Sequence, residues 1–212
     1  MSGYIAVEGP IGVGKTSLAR KLGERFGCPP LMEKVAENPF LARFYEDMES
    51  YAFQTQMFYL VSRYKQLSRL TQRDLFHGAV VVDYIMERDF IFAQLTLAED
   101  EFSIYRDIYN HLARNIPEPD LTIYLQADTS TLMRRIHNRD RQAERNITEE
   151  YVDRVNRAFN QFFFRHLPGP LLIVNTNNID FVNNPQDFEI LVEKVSGGVE
   201  GREYFNPPSS VL

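Results

Sequence analysis

The sequence predicts an α/β fold in which a five-stranded parallel sheet is flanked by helices. Short apolar runs alternate with stretches of helical periodicity along most of the chain, the arrangement that produces parallel sheets covered by helices. Residues 79–83 read Ala-Val-Val-Val-Asp, which is too apolar and β-branched for a half-exposed strand and indicates a central strand buried on both faces. The first apolar run leads directly into a glycine-rich turn.

Composition restricts the classes of protein to which the chain can belong. It has 212 residues, 44% of them apolar, and a net charge of −6, which suits one globular domain and does not favour a nucleic-acid polymer as partner. Cys28 is the single cysteine, so no internal disulfide is possible and a reducing cytoplasm is expected. We expect no membrane association, because no run approaches the roughly 18 apolar residues of a spanning helix and the N-terminus lacks a signal-peptide pattern.

The apolar pattern predicts a strand or a helix for most of the chain. Strands are expected at residues 4–8, 31–33, 79–83, 121–126 and 171–175. Helices are expected at 15–26, from 38–39 onward, and at about 51–74, 88–96, 99–115, 129–138, 149–167 and 188–195. Residues 1–196 are thus predicted to form one domain, and the chain from Gly197 to its end is predicted to be a mobile tail.

Unusual polar residues follow the predicted strands. They are the glycine turn at 9–16, Glu33, Asp83 and the stretch 175–181. Ligands of open parallel sheets bind beyond the carboxyl ends of the strands, so we expect these residues to meet at one site.

Residues 9–16 read Gly-Pro-Ile-Gly-Val-Gly-Lys-Thr and match G-x-x-x-x-G-K-[ST] in full. Glycines let backbone N–H groups point inward at phosphate oxygens, and the following helix directs its positive end to the same place. The lysine would reach the outer phosphates and the threonine would bind magnesium, so ATP and Mg²⁺ are the expected cofactors. The predicted nucleotide-binding residues here are Gly9, Gly12, Gly14, Lys15, Thr16 and Ser17. A guanine-reading Asn-Lys-x-Asp motif is absent from the sequence, which argues against a regulatory GTPase.

Several stretches together resemble the deoxynucleoside kinase family, especially its bacterial purine members. They are residues 8–15, 37–41 with 44–47, 54–63, 83–89 and 135–146, and the similarity extends from Tyr4 to Val195. The resemblance implies a P-loop kinase fold with an arginine-rich lid at about 139–146. It also implies transfer of phosphate from ATP to the 5′-hydroxyl of a small-molecule deoxynucleoside, nucleotide salvage as the role, and a homodimer.

The resemblance implies that Glu33 binds the acceptor hydroxyl. At this position the family has a glutamate that holds the 5′-hydroxyl and takes its proton; alone, the residue could equally be a solvated surface glutamate. The family often has Glu-Pro-Val, whereas this chain has Glu33-Lys34-Val35.

The resemblance also assigns the base and the sugar. Gln56, Arg63 and Asp89 match the residues that line the base pocket in members favouring purines or cytosine. A glutamine carries both a donor and an acceptor, so it can pair with a base edge, but it can serve adenine or guanine equally. Tyr45 and Glu144 match the positions that hold the sugar 3′-hydroxyl, although Tyr45 could instead be a core tyrosine.

Asp83 is expected near magnesium, directly or through water, or else as a strand-end cap. The family usually continues with an arginine that steadies the catalytic glutamate and the transferring phosphate. Tyr84 occupies that position here, and Arg88, one turn later, is the candidate substitute.

The densest basic stretch of the chain is residues 134–141. It could be a solvated helix face, but by family position Arg135, Arg139 and Arg141 would bring guanidinium groups onto the γ-phosphate. Asp180 and Phe181 resemble the loop that contacts the adenine of ATP.

Two alternatives stay open at this point. A nucleoside monophosphate kinase such as thymidylate kinase would need basic residues near Glu33, and Lys34 favours it. A non-catalytic nucleotide-binding regulatory module would account for the glycine turn but not for Glu33, Gln56 and the arginine stretch together.

Overall fold

The computed structural model describes residues 3–70, 78–139, 141–165 and 169–206. Five parallel strands form one sheet in the order β2-β1-β3-β4-β5. They are β1 (Tyr4–Glu8), β2 (Val80–Val82), β3 (Leu121–Gln126), β4 (Leu171–Asn175) and β5 (Arg202–Phe205). Because β1 has β2 on one side and β3 on the other, the strand order reverses at β1, where such sheets form a ligand crevice.

The helices alternate with the strands as the periodicity predicts. They are α1 (Lys15–Arg25), α2 (Leu41–Glu46), α3 (Met48–Leu67), α4 (Glu87–Thr96), α5 (Glu99–Ala113), α6 (Thr129–Arg139), α7 (Glu149–Arg165) and α8 (Pro185–Ser196). Two short 3₁₀ turns lie at Val35–Glu37 and Gln142–Glu144. Every residue of β1 is buried because helices cover both faces of the sheet. The prediction that residues 79–83 form a central strand is wrong: β2 lies at one end of the five-strand order, and among the described residues only Leu31 bridges to its outer side, at Val82. Val81 and Val82 are nevertheless fully buried, which accounts for the apolar run.

The fifth strand is not the one that the sequence predicts. Of the predicted strand at 31–33, only Leu31 pairs with the sheet, through one bridge to Val82. The chain then leaves the sheet, and the backbone N–H of Glu33 donates a 2.6 Å hydrogen bond to the Asp83 carboxylate and not to a strand.

The prediction of a mobile tail from Gly197 is wrong for Arg202–Phe205, which pair with β4 as the edge strand β5. This strand alternates exposed and half-buried residues and carries charges, so it lacks the apolar run that marks the inner strands. The part of the predicted tail at 207–212 lies outside the described residues.

Side-chain caps set several helix boundaries. Asp47 accepts a hydrogen bond from Ser50 N, so α3 begins before the predicted residue 51. Asn184 caps α8 in the same way through Gln186 N. The helix predicted from 38–39 begins at Leu41, and part of the predicted C-terminal end of α3 lies outside the described residues. Within the described ranges, no helix is both long and apolar enough to cross a membrane.

Candidate active site

The glycine-rich turn wraps tightly after β1 and leads into α1. Gly12 has a φ of +87°, and a Cβ there would lie 2.8 Å from the Leu132 carbonyl oxygen, so only glycine fits. Lys15 Nζ donates to the carbonyl oxygens of Gly9 (2.8 Å) and Pro10 (3.0 Å) across the turn. Burial, reinforced by the nearby Arg88 charge, lowers the pKa of Lys15 to about 7.

Asp83 links the glycine-rich turn at residues 9–16, called the phosphate turn from here on, to the segment that carries Glu33. Its Oδ2 accepts a 2.8 Å hydrogen bond from Thr16 Oγ1, while its Oδ1 accepts from the Glu33 N–H. A hydroxyl and a carboxylate oxygen side by side are the hard oxygen ligands that Mg²⁺ prefers, so these residues fit the expected metal.

Glu33 is held by two arginines in the wall of a cavity. Arg63 Nη2 donates to its Oε1 at 2.7 Å, and Arg88 Nε lies 3.6 Å from the same oxygen. Burial alone would raise the pKa of Glu33, but the Arg88 and Arg63 charges outweigh it and lower the pKa to about 2. The carboxylate is therefore ionised throughout the physiological range.

Arg88, the candidate substitute for the missing family arginine, lies between Glu33 and the phosphate turn. Its Nη1 donates to Glu8 Oε1 at 2.7 Å and to the Gly9 carbonyl oxygen at 3.3 Å. Glu8 is fully buried and also accepts from the N–H groups of Gly9 and Ile85, so it anchors both the turn and Arg88. Sequence reasoning missed Glu8 as a site residue, although a charged side chain at the end of a buried strand was a usable signal.

Tyr84 packs on Arg63. Its ring lies 4.3 Å from the Arg63 guanidinium carbon, a cation–π contact, and its hydroxyl hydrogen-bonds Gln66 Oε1. Tyr84 thus supports the Arg63 side chain in the cavity wall.

Arg63 and Asp89 form a bidentate ion pair in the wall of the same cavity. Arg63 Nε donates to Asp89 Oδ2 at 2.7 Å and Nη2 donates to Oδ1 at 2.8 Å, and both side chains are almost fully buried. The two carboxylates hold the pKa of Arg63 above its usual value despite the burial. Gln56 lies two turns away on α3 and donates to Thr96 Oγ1 at 3.2 Å. Sequence reasoning did not single out Thr96.

Another part of the cavity wall is built from α2, α7 and the 3₁₀ turn at Gln142–Glu144. Glu144, nearly buried, accepts from Arg139 Nε at 2.8 Å, and Arg141 Nη1 lies 3.6 Å from its other oxygen. Tyr45 contacts Tyr151 edge to face at 6.2 Å between ring centres. Burial, together with the Glu144 charge, raises the pKa of Tyr45, so its hydroxyl stays protonated.

A wide groove of about 1090 Å³ runs along the outside of the phosphate turn. Arg135 lines it and is fixed to the Thr176 carbonyl oxygen (2.7 Å) and hydroxyl (2.9 Å), so it lies on the groove side and does not line the smaller cavity. Asp180 accepts hydrogen bonds from two N–H groups of its own loop, and Phe181 is buried against Gly14. Both residues line the groove, and their contacts within the protein stabilise the loop.

The structure brings most of the predicted residues into a second, smaller cavity of about 90 Å³. Its lining includes Lys15, Thr16, Glu33, Tyr45, Gln56, Arg63, Asp89, Arg139, Arg141 and Glu144. The groove and the small cavity share Gly12, Lys15, Thr16, Arg139 and Arg141, so they meet at the phosphate turn.

A P-loop that separates a triphosphate-sized groove from a cavity with an ionised carboxylate defines a P-loop phosphotransferase. The family model for deoxynucleoside kinases matches residues 5–200. The chain belongs to the deoxynucleoside kinase family, and it has the P-loop kinase fold.

Individual relatives agree with this assignment. The deoxyguanosine kinase of Bacillus subtilis (strain 168) is 37% identical over 197 residues, covering 91% of this chain and 95% of the relative. The deoxyadenosine/deoxycytidine kinase of the same organism is 27% identical and covers 94% of each chain. The structure of deoxyadenosine kinase from M. mycoides with bound dCTP superposes with a TM-score of 0.79 at 25% identity, covering 92% of this chain and 99% of that one.

Proposed function

We propose that the protein transfers the γ-phosphoryl group of Mg·ATP to the 5′-hydroxyl of a purine deoxynucleoside. The observation that carries this proposal is the position of Glu33, in the wall of a cavity that opens onto the P-loop at Lys15 and Thr16. Relatives named deoxyguanosine and deoxyadenosine kinases support the acceptor class.

On the donor side, the P-loop backbone and Lys15 bind the triphosphate in the groove, with the adenine towards Asp180 and Phe181. The ammonium of Lys15 now bonds two backbone carbonyls, and it can exchange these for phosphate oxygens with little movement. Magnesium neutralises phosphate charge when it is bound, and Thr16 and Asp83 are the residues that would hold it.

On the acceptor side, Glu33 orients the 5′-hydroxyl. With a pKa of about 2 it is a weak base, so its main contribution is to accept a hydrogen bond from the hydroxyl and aim the oxygen for in-line attack. Phosphoryl transfer has a loose transition state in which positioning matters more than early proton removal, so a low pKa suits this role. Arg63 and Arg88 keep the carboxylate in place.

The lid arginines, which pair with Glu144 in this structure, would turn to the transferring phosphate during the reaction. Arg139 and Arg141 line both cavities but are now paired with this glutamate. A sugar 3′-hydroxyl that bonds Glu144 would compete for its oxygens and favour release of the guanidinium groups towards the γ-phosphate, with Arg135 completing the positive wall. We further propose a cytoplasmic salvage role and a homodimer, in line with the family.

The proposed acceptor role is tested by Glu33→Gln, with Glu37→Gln as the matched control. Glu37 is exposed and pairs with Lys34 on the surface, so replacing it by glutamine should leave activity unchanged. We expect Glu33→Gln to lower kcat by roughly two to four orders of magnitude, because the amide accepts a weaker hydrogen bond from the 5′-hydroxyl and no longer takes its proton, while the KM for ATP changes little. Steady-state assays with coupled ATP consumption measure both, and near-wild-type turnover would refute the role of Glu33.

A monophosphate kinase would need a cation for the acceptor phosphate. Lys34, the residue that favoured this alternative, is exposed and donates to Glu37 at 2.7 Å, and it does not line the small cavity. An ATP-consumption assay with a panel of nucleosides and monophosphates separates the two activities: turnover confined to monophosphates would overturn the proposal.

A further inference from the structure

Helices α3 and α4 run antiparallel along one wall of the small cavity. Gln56 on α3 faces Thr96 on α4, and Arg63 further along α3 faces Asp89 nearer the start of α4. Gln56 is 3% exposed and lines the cavity, so the orientation of its amide decides where the cavity offers a donor and where it offers an acceptor.

The Thr96 hydroxyl fixes that orientation. Its single proton is donated to the carbonyl oxygen of Phe92, one turn earlier, at 2.8 Å. The oxygen therefore presents a lone pair to Gln56, and only the amide NH₂ can meet it, at 3.2 Å. Among the described residues, none donates a hydrogen bond to Gln56 Oε1, which stays available to a ligand.

The opposite amide orientation is less favourable. With Oε1 against Thr96, the hydroxyl proton would have to leave Phe92 and turn to Gln56, so two hydrogen bonds would become one. One net hydrogen bond corresponds to about a five-fold difference in population. Without the hydroxyl, the two orientations become nearly equivalent.

The orientation matters because the two purines present opposite patterns at their six-membered edge. Adenine offers a donor at N6 and an acceptor at N1, whereas a 6-oxopurine offers an acceptor at O6 and a donor at N1. A glutamine held in one orientation is complementary to one of these patterns at a given base position, and a glutamine free to flip serves both.

We propose that Thr96 is a specificity-determining residue, which selects between 6-amino and 6-oxo purine deoxynucleosides by holding the Gln56 amide in one orientation. It acts through Gln56, as a positioning residue. The inference rests on the proposed function, since it requires that Gln56 reads the acceptor base.

The experiment compares kcat/KM for deoxyadenosine and deoxyinosine, which differ at C6 and the adjacent N1 proton. The wild-type protein should prefer one of them several-fold. In Thr96→Val, which keeps the shape and removes the hydroxyl, that preference should fall about five-fold towards unity, mainly through a gain on the disfavoured base. Thr96→Ser, which keeps the hydroxyl, should retain the wild-type ratio, and the KM for ATP should be unchanged in both variants.

Other outcomes are informative in different ways. A ratio that stays at the wild-type value in Thr96→Val, even with both activities lowered, would mean that Thr96 only supports packing and would overturn the inference, as would a wild-type protein indifferent to C6. Thr96→Ala provides the same comparison if the valine variant folds poorly. Failure of the wild-type protein to phosphorylate any deoxynucleoside would instead refute the proposed function.

Discussion

Arg63 connects two carboxylates in the wall of the small cavity. It pairs with Asp89 and with Glu33, and the ring of Tyr84 packs against its guanidinium. A buried arginine with two carboxylate partners has little freedom, because removing either partner leaves charge uncompensated. Under the proposed function, the same residue would shape base selection and hold the carboxylate that orients the acceptor.

Removing the ion pair should separate these two contributions. Arg63→Met combined with Asp89→Ala eliminates both buried charges at once, and we expect base choice to relax towards thymidine because the polar wall becomes apolar. We also expect a lower kcat for every acceptor, since Glu33 loses one of its two arginines.

The measurement for this double variant is kcat/KM for thymidine relative to deoxyadenosine and deoxyguanosine. Asp89→Asn alone serves as a comparison that keeps the Glu33–Arg63 pair. A purine preference that survives unchanged in the double variant would contradict the assigned base wall.

At the scale of elements, β5 adds an edge strand to the sheet, although its sequence lacks the pattern of a buried strand. Its residues pair with Leu171–Val174 of β4, and Glu203 forms an ion pair with Lys194 of α8. β4 leads into the loop with Asn177 and Asp180, which lines the groove. By pairing with β4, the strand β5 therefore supports the strand that positions this loop.

Truncation tests this support. A chain ending at Gly197 should lose on the order of 2–4 kcal/mol of unfolding free energy, since several backbone hydrogen bonds of β4 lose their partners. A chain ending at Asn206 keeps β5 and is the matched control. Thermal or urea unfolding with equal losses in the two truncated chains would show that β5 contributes nothing to stability.

At the scale of the whole molecule, five buried or nearly buried charges form one connected network around the acceptor cavity. They are Glu8, Glu33, Arg63, Arg88 and Asp89. The chain is acidic overall, yet the two arginines of this network, Arg63 and Arg88, supply the local positive charge that keeps Glu33 ionised. Stability should therefore depend on pH through this site.

Glu33 has a folded pKa of about 2, below its ordinary 4.5, so its ionisation stabilises the folded state fully above pH 4.5. That stabilisation, on the order of 3 kcal/mol, should disappear as pH falls through about 2. Glutamine does not titrate, so the difference in unfolding free energy between wild type and Glu33→Gln should shrink between pH 5 and pH 2. Urea unfolding across this range measures it, and a pH-independent difference would show that the pKa is not lowered.

The sequence by itself determined the α/β class, the order of the inner strands along the chain and the P-loop, because these depend on apolar periodicity and a contiguous motif. The resemblance placed Glu33, Gln56, Arg63, Asp89 and Glu144 in one site, and the structure brings them to one cavity. Only the tertiary structure decided what each side chain contacts. Glu8 and Arg88 lie 80 residues apart, and Gln56 and Thr96 lie 40 apart, so no local pattern could pair them. The fifth strand was decided in the same way, since its four residues form too short and too charged a run to predict a strand, and their pairing depends on the neighbouring strand β4.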